Sequence, residues 1–214
     1  MKSPFRWTEF DIGDSLPAGW QDAVSEAAKG ADVREFPRTP VLSREGPEIL
    51  CIPRGRVHAG QVKEDLPWLH RAYRHQFLTL AGQVCGEPVA AARDGRYGIV
   101  LNVQLGTAMR FECHVDSNPL TGLLFCTDHA DGGELVIAND TGVSGIAEVE
   151  RNCTVIRPRA GRLIYFDARE YPHYARPLTA DSDRRIVAVM NYYTESCPES
   201  TRPPELNRHL YGDE

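Results

Sequence analysis

From Tyr97 onward the chain falls into short runs of β-branched and aromatic residues, and this pattern restricts the fold more than any other. The runs lie near 97–105, 109–116, 121–127, 133–138, 152–157, 162–167, 172–177 and 184–194. Gly106, Gly122, Gly132-Gly133, Gly142, Gly145 and Gly161 punctuate them. A strand this short cannot bury a face by itself. Eight in succession predict two antiparallel sheets packed face to face, a double-stranded β-helix or jelly roll. The fold class is therefore mainly β with supporting α-helices.

The preceding residues read as helical support. Pro17 to Lys29 predicts a short helix, with Trp20, Val24 and Ala27 on one face and Gly30 as a stop. Residues 31–65, with prolines at 37, 40, 47 and 53, read as irregular except for a short strand at Ile49–Ile52. A longer helix is predicted from Pro67 to Cys85, where Leu69, Tyr73, Phe77, Leu80 and Val84 form one apolar stripe. Pro67 suits its first turn, Gly86 its end, and Glu64 and Asp65 the positive end of its dipole. The stripe is expected to pack on a sheet. No linker divides the chain, so the expectation is a single domain over 1–214: support to about residue 95, a jelly-roll core over 96–194 and an irregular tail over 195–214.

Composition narrows the function classes. The formal charge of −6, with no basic block, argues against broad contact with a nucleic-acid backbone. It leaves room for a small anion held by one or two arginines. No run reaches the ~18–20 apolar residues that span a bilayer. The first residues lack the apolar core of an export signal. The six cysteines, at 51, 85, 113, 126, 153 and 197, form no Cys-x-x-Cys pair. They read as reduced thiols of a cytoplasmic protein, most of them small buried groups.

The chemistry-bearing residues sit in the strand-rich part. His114 and Asp116 are two apart, so on a strand both side chains share one face while Val115 faces the other way. His173 follows 59 residues later at the start of another strand. In a jelly roll that separation returns the chain to the same end of the barrel. Two neutral imidazoles and one carboxylate can hold one face of an Fe(II) ion and leave the opposite face open. Asn102 and Gln104 are polar residues sharing a face of the otherwise apolar run Ile99–Leu105.

With these residues in view, the segment over roughly 97–194 resembles the Fe(II)- and 2-oxoglutarate-dependent oxygenases, with a prolyl-4-hydroxylase-like double-stranded β-helix. The His-x-Asp pair and the distant His stand at the family's iron ligands. His173-Tyr174-Ala175-Arg176-Pro177-Leu178 is close to the family's His-x-Val-x-Pro-Val. Gly132-Gly133-Glu134-Leu135 and the glycine-led strand Gly161–Phe166 resemble two further family segments. The resemblance implies Fe(II), 2-oxoglutarate and O2 as the cofactor set, and His114, Asp116 and His173 as metal ligands.

It also implies an arginine on the last barrel strand that holds the far carboxylate of 2-oxoglutarate as a planar fork. Arg184 and Arg185 follow His173 by 11 and 12 residues. Strand alternation lets only one point inward, and the uniform run Ile186–Met190 does not decide which. Matching Met190-Asn191-Tyr192-Tyr193 to similar family strands favours Arg185, with Arg184 as the alternative. Asn102 or Gln104 is expected to add a polar contact to 2-oxoglutarate, although the tyrosine frequent on that strand is missing. Asp116 keeps the carboxylate that halogenating members lack, which favours hydroxylation; desaturation and cyclisation start from the same hydrogen abstraction.

Ser117, Asn118, Arg110 and Arg176 flank the ligands and are candidate substrate contacts, as is Thr121. Asp128-His129-x-Asp131 reads as a polar turn. The expected activity is dioxygenation, most simply hydroxylation, of an unactivated C–H bond in a small or peptide-like substrate, with release of succinate and CO2. Neither a membrane nor nucleic acid is an expected partner. The alternative is a cupin-like metal-binding jelly roll that is non-catalytic or uses iron without 2-oxoglutarate. Dependence on 2-oxoglutarate, lost in Arg185→Ala, separates the two.

Overall fold

A computed structural model describes residues 6–204 and residue 206. The N-terminal part contains strand β1 (Trp7–Asp11), helix α1 (Trp20–Ala27), strands β2 (Asp32–Pro37) and β3 (Cys51–Val57), helices α2 (Ala59–Asp65), α3 (Pro67–Arg74) and α4 (Gln76–Cys85), and strand β4 (Val89–Ala91). Eight core strands follow: β5 (Ile99–Leu105), β6 (Phe111–His114), β7 (Leu120–Phe125), β8 (Leu135–Ala138), β9 (Cys153–Ile156), β10 (Arg162–Phe166), β11 (His173–Ala175) and β12 (Arg184–Thr194). A four-residue helix, α5 (Ile146–Val149), lies between β8 and β9.

The core strands alternate between two sheets except at β8 and β9, which are consecutive and pair within the smaller one. The larger runs β1-β10-β7-β12-β5-β3-β2, with β4 beside β12; the smaller runs β6-β11-β8-β9. The eight strands expected from the sequence are β5 to β12, and this arrangement is the jelly roll. Leu123, Phe125, Ile164, Phe166 and Val187 of the larger sheet meet Leu135, Ile137 and Ile156 of the smaller one in the interior. The back of the larger sheet packs Leu101, Leu124, Tyr165, Ile186, Ala188, Met190 and Tyr192 against Val24, Leu69, Tyr73 and Phe77 of the helices. The larger sheet is thus covered on both faces. That is why Ile186–Met190 is apolar throughout and carries no readable period.

Three expectations need correction. The predicted helix over 67–85 is broken at His75, whose φ of −128° and ψ of −83° are not helical. The break lets both segments seat on one sheet. Tyr192 donates its hydroxyl to the Tyr73 carbonyl before the break, and Tyr165 donates to the Phe77 carbonyl after it. Glu64 and Asp65 end α2 instead of preceding a single long helix. Residues 31–65 are not irregular, since β2, β3 and α2 lie there. Of the six cysteines, all free, only Cys113 and Cys126 are buried, so most are not core groups.

Of the tail, residues 195–204 hold one 3-10 turn, Glu199–Thr201. Apart from Leu206, the expectation for the rest of the tail falls outside the described residues. Among the described residues no helix is long and apolar enough to cross a membrane.

Candidate metal and cosubstrate site

Strands β6 and β11 are antiparallel neighbours, and their register sets His114 directly opposite His173. The two imidazole rings lie 4.5 Å apart. Asp116 follows the end of β6, and its backbone N–H donates to the Ala168 carbonyl at 2.7 Å. Its Oδ1 stands 3.1 Å from His114 Nε2 and 4.0 Å from His173 Nε2. One ligand atom from each of the three residues falls within 4.8 Å of the others, a cluster that could hold a metal ion.

The surrounding hydrogen bonds suit that purpose. His114 Nδ1 lies 2.7 Å from the Glu112 carbonyl, and His173 Nδ1 lies 3.1 Å from the Tyr171 carbonyl. A carbonyl only accepts, so each Nδ1 carries a proton and each Nε2 is the nitrogen turned to the cluster; His173 Nε2 keeps its lone pair there, and His114 Nε2 would give up the proton it shares with Asp116 to a bound metal. Thr121 donates to Asp116 Oδ2 at 2.5 Å, and Asn118 Nδ2 donates to the Thr121 hydroxyl at 2.8 Å.

Burial opposes ionisation of Asp116, but its hydrogen bond with His114, the nearby His173 and Thr121 outweigh it and hold the carboxyl down at about 2. Burial, with His114 beside it, lowers His173 to about 4, so it is a neutral ligand at neutral pH. Burial also opposes protonation of His114, but the Asp116 carboxylate outweighs burial and raises its pKa. An anionic oxygen and neutral imidazole nitrogens form the donor set that ferrous iron takes.

Arg185 lines the same cavity, together with Asn102, Thr121, Leu123, Val187 and the three clustered residues. It is 3% exposed. Its Nη1 donates to Gln104 Oε1 at 2.9 Å, its guanidinium lies 5.6 Å from the Phe125 ring centre, and its buried Nε has no hydrogen-bond partner. Burial lowers its pKa to about 9, which leaves it charged at neutral pH. Among the described residues no carboxylate forms an ion pair with it. A buried cation without a counter-ion is costly, and the carboxylate of a 2-oxo acid fits that requirement. Arg184 points the other way, and its Nη2 donates to Ser25 of α1.

Asn102 and Gln104 share the inner face but differ in surroundings. Asn102 lines the cavity and has a buried Oδ1 with no partner. Gln104 is fully buried behind it, with Nε2 donating to the carbonyls of Arg176 at 2.9 Å and Met109 at 3.3 Å. Its amide is thus occupied in fixing Arg185. Ser117 and Asn118 line an adjoining outer cavity that shares His114, Asp116 and Asn102 with the inner one.

Arg110 and Arg176 line neither cavity. Arg110 forms a two-pronged ion pair with Glu45 at 2.5 and 2.6 Å, and Arg176 pairs with Glu150 at 2.7 Å. His129 and Asp128 serve turn contacts with the Arg184 carbonyl and the Ala160 N–H. The sequence reading did not single out Arg54 and Arg56 of β3, Tyr97, Glu112 or Arg202, all of which line the outer cavity. The available signal was Arg54-Gly55-Arg56, two charges at strand spacing around a glycine.

Comparison with known proteins bears on this geometry. Residues 99–193 match the sequence family described as the 2OG-Fe(II) oxygenase superfamily. The match spans the eight core strands, and the family is the one that the sequence resembles. The cofactor set expected from the sequence, Fe(II), 2-oxoglutarate and O2, stands with that assignment. No curated protein matches by sequence.

Among solved structures, the domain and its support are similar to the non-heme alpha ketoglutarate dependent epimerase SnoN from nogalamycin biosynthesis. That match has a TM-score of 0.63 and 15% identity, covering 95% of this chain and 84% of the other. A 2OG-Fe(II) oxygenase family oxidoreductase from Burkholderia pseudomallei matches with a TM-score of 0.61 and 13% identity over 87% and 84% of the chains. A Pseudomonas putida prolyl-4-hydroxylase matches with a TM-score of 0.52 and 16% identity over 89% and 94%. These likenesses are of fold.

Proposed function

We propose that this chain is an Fe(II)- and 2-oxoglutarate-dependent dioxygenase that hydroxylates an unactivated C–H bond of a small substrate, such as an amino acid, a peptide-like intermediate or a secondary metabolite. One observation carries the reading. A buried arginine with no counter-ion among the described residues and a two-imidazole, one-carboxylate cluster line one cavity. In this reading His114, Asp116 and His173 hold the metal and Arg185 binds the far carboxylate of 2-oxoglutarate. Gln104 fixes the Arg185 fork, and the orphan Oδ1 of Asn102 faces ligand or ordered water.

When bound, the metal and its cosubstrate supply, with O2, the oxidising power that breaks the C–H bond and releases succinate and CO2. The protein orients the reactants and keeps water out. Leu123, Val187 and Val189 wall the inner cavity with apolar surface. Ser117 and Asn118 stand on the outer, substrate-facing side. Asp116 favours hydroxylation, because it keeps the carboxylate in the metal shell. Among the similar structures are an epimerase and a prolyl-4-hydroxylase, so the substrate itself is to be found by screening. The reading treats 1–214 as one enzyme unit in a cytoplasmic setting, which suits its six unbridged cysteines.

The test is anaerobic absorption spectroscopy. Fe(II) and then 2-oxoglutarate are added to the metal-free protein, with His114→Ala as control. A visible metal-to-ligand charge-transfer band in the unaltered protein alone supports the reading. Tight Fe(II) binding without the band would favour a cupin-like site that does not use 2-oxoglutarate.

A further inference from the structure

The walls of the outer cavity differ in how they are tied down. Strands β3, β5, β6 and β12 form most of it, and their backbones are held in the two sheets. Thr39 and Leu42 come from the loop between β2 and β3, which is sewn by backbone bonds to the metal strand. The Val115 N–H donates to the Leu42 carbonyl at 3.0 Å, and the Arg44 N–H donates to the Cys113 carbonyl at 2.8 Å. A further wall is Arg202 and Leu206, from the segment that follows β12. Leu206 is buried there.

That C-terminal segment is fastened in another way. The Glu195 N–H donates to the Pro88 carbonyl at 3.3 Å. Beyond it, among the described residues, the backbone bonds of 196–206 close on the segment itself or on Thr194. The ties to the barrel run through side chains. The Glu199 carboxylate accepts from the N–H groups of Arg93 at 2.9 Å and Asp94 at 3.2 Å, and from the Tyr97 hydroxyl at 2.5 Å. Glu87 accepts from the N–H and hydroxyl of Ser196 at 3.1 and 2.8 Å. Arg202 lies 3.8 Å from the Tyr97 ring centre and donates to the Ser117 hydroxyl at 2.6 Å, one residue beyond Asp116. Arg169 Nη1 stands 3.0 Å from both the Ser117 carbonyl and Cys197 Sγ.

The outer cavity has a volume of about 110 Å³. Pockets that enclose small-molecule ligands run to about 300–1,000 Å³. A substrate therefore needs one wall to withdraw. The strands and the loop before β3 withdraw only by breaking backbone ladders, whereas the C-terminal segment withdraws by releasing side-chain contacts. Elements held in this manner open at a small fraction of the free energy of global unfolding.

We propose that residues 196–206 are a gate over the substrate cavity, latched by Glu199 on the segment 93–97. With the latch released, Arg202 and Leu206 leave the cavity and substrate reaches the His114–Asp116–His173 cluster. With the latch made, Arg202 returns to Ser117 and closes the wall behind the substrate. That the entering molecule is a substrate rests on the oxygenase reading above; the gate rests on the contacts of the segment.

The experiment uses the full chain without metal. Hydrogen exchange, read peptide by peptide, follows opening of 196–206. Diethyl pyrocarbonate, which acylates accessible imidazoles, reads access to His114 in the cavity, with the exposed His75 as reference. In the unaltered protein the segment is expected to exchange far faster than β12. Glu199→Ala should speed exchange of the segment and modification of His114 about tenfold or more, the scale for loss of charge-assisted hydrogen bonds, and leave His75 unchanged. Glu199→Gln, which keeps one acceptor oxygen, should fall between, and circular dichroism checks that both variants fold.

Exchange of 196–206 no faster than that of β12 would overturn the proposal. So would faster exchange in Glu199→Ala with His114 modified at the original rate, or an equal rise at His75, which marks general loosening. Failure of the oxygenase reading looks different: the charge-transfer band is absent, while the results on the metal-free protein stand.

Discussion

Gly133 makes room for Arg185. A Cβ on residue 133 would stand 2.8 Å from Arg185 Cδ, and Gly133 also has a φ of +69° that other residues adopt with strain. Gly133→Ala should therefore displace the guanidinium and cost about 1–2 kcal/mol of stability from backbone strain alone. Gly142→Ala is the control, because its φ is +87° but its surroundings are open. Both variants should melt earlier, while only Gly133→Ala should weaken 2-oxoglutarate binding in the anaerobic titration. Equal cosubstrate affinity in the two would show that the crowding is relieved elsewhere.

Gln104 governs the same arginine from the other side. Gln104→Leu removes the acceptor of Arg185 Nη1, and a buried donor left without a partner costs about 1–3 kcal/mol. The expected result is 2-oxoglutarate affinity lowered by about tenfold or more with Fe(II) affinity preserved. Gln104→Glu should restore binding less well than the amide, since a carboxylate would pair internally with Arg185. Loss of Fe(II) binding in Gln104→Leu would mean that the amide supports the barrel as a whole.

Thr121 acts on the metal cluster through Asp116. Thr121→Val keeps the shape but removes the hydrogen bond to Asp116 Oδ2. The carboxylate should then be more basic and less firmly oriented, and Fe(II) affinity should fall by about tenfold, the usual scale for loss of an outer partner. Competition against a chelator reads this directly. Unchanged metal affinity would argue that the Asp116 position is fixed by its backbone bond to Ala168 alone.

Asp167 gives the pH dependence of stability a defined component. Burial raises its pKa from 3.8 to about 6. The unfolded chain therefore releases this proton at lower pH than the folded chain. Stability contributed by the protonated form falls as pH rises from about 4, and the loss is complete above about 6. Asp167→Asn should raise the melting temperature at pH 8 and change it little at pH 4. The gain is on the order of 1 kcal/mol after discounting for partial exposure. Equal effects at the two pH values would sink this account.

The sequence exposed some of this architecture and hid the rest for identifiable reasons. The eight core strands were legible because glycines interrupt them and because each is short. His114, Asp116 and His173 were legible because period two and strand order bring them to one end. Arg185 could not be separated from Arg184 by pattern, because β12 is covered on both faces and its apolar run carries no alternation. Arg54 and Arg56 were hidden by prolines that made 31–65 look irregular. Pro53 is tolerated in β3 because it pairs with Glu35 of β2, while contact with β5 begins only at Gly55. The function of Gln104 depends on which side of Arg185 it reaches, and spacing along the chain does not carry that information.

The position of β12 between β5 and β7 also bears on how the molecule assembles. Before residues 184–194 enter, β5 and β7 have no strand to join them, and the larger sheet exists as two separate ribbons. The strand that carries Arg185 is thus the keystone of the sheet, joining β7, β10 and β1 on one side to β5, β3 and β2 on the other. Its pairings with β5 and β7 join residues far apart along the chain, and contacts of that kind close slowly, so closure of the larger sheet around the strand that bears Arg185 is expected to be a slow step of folding.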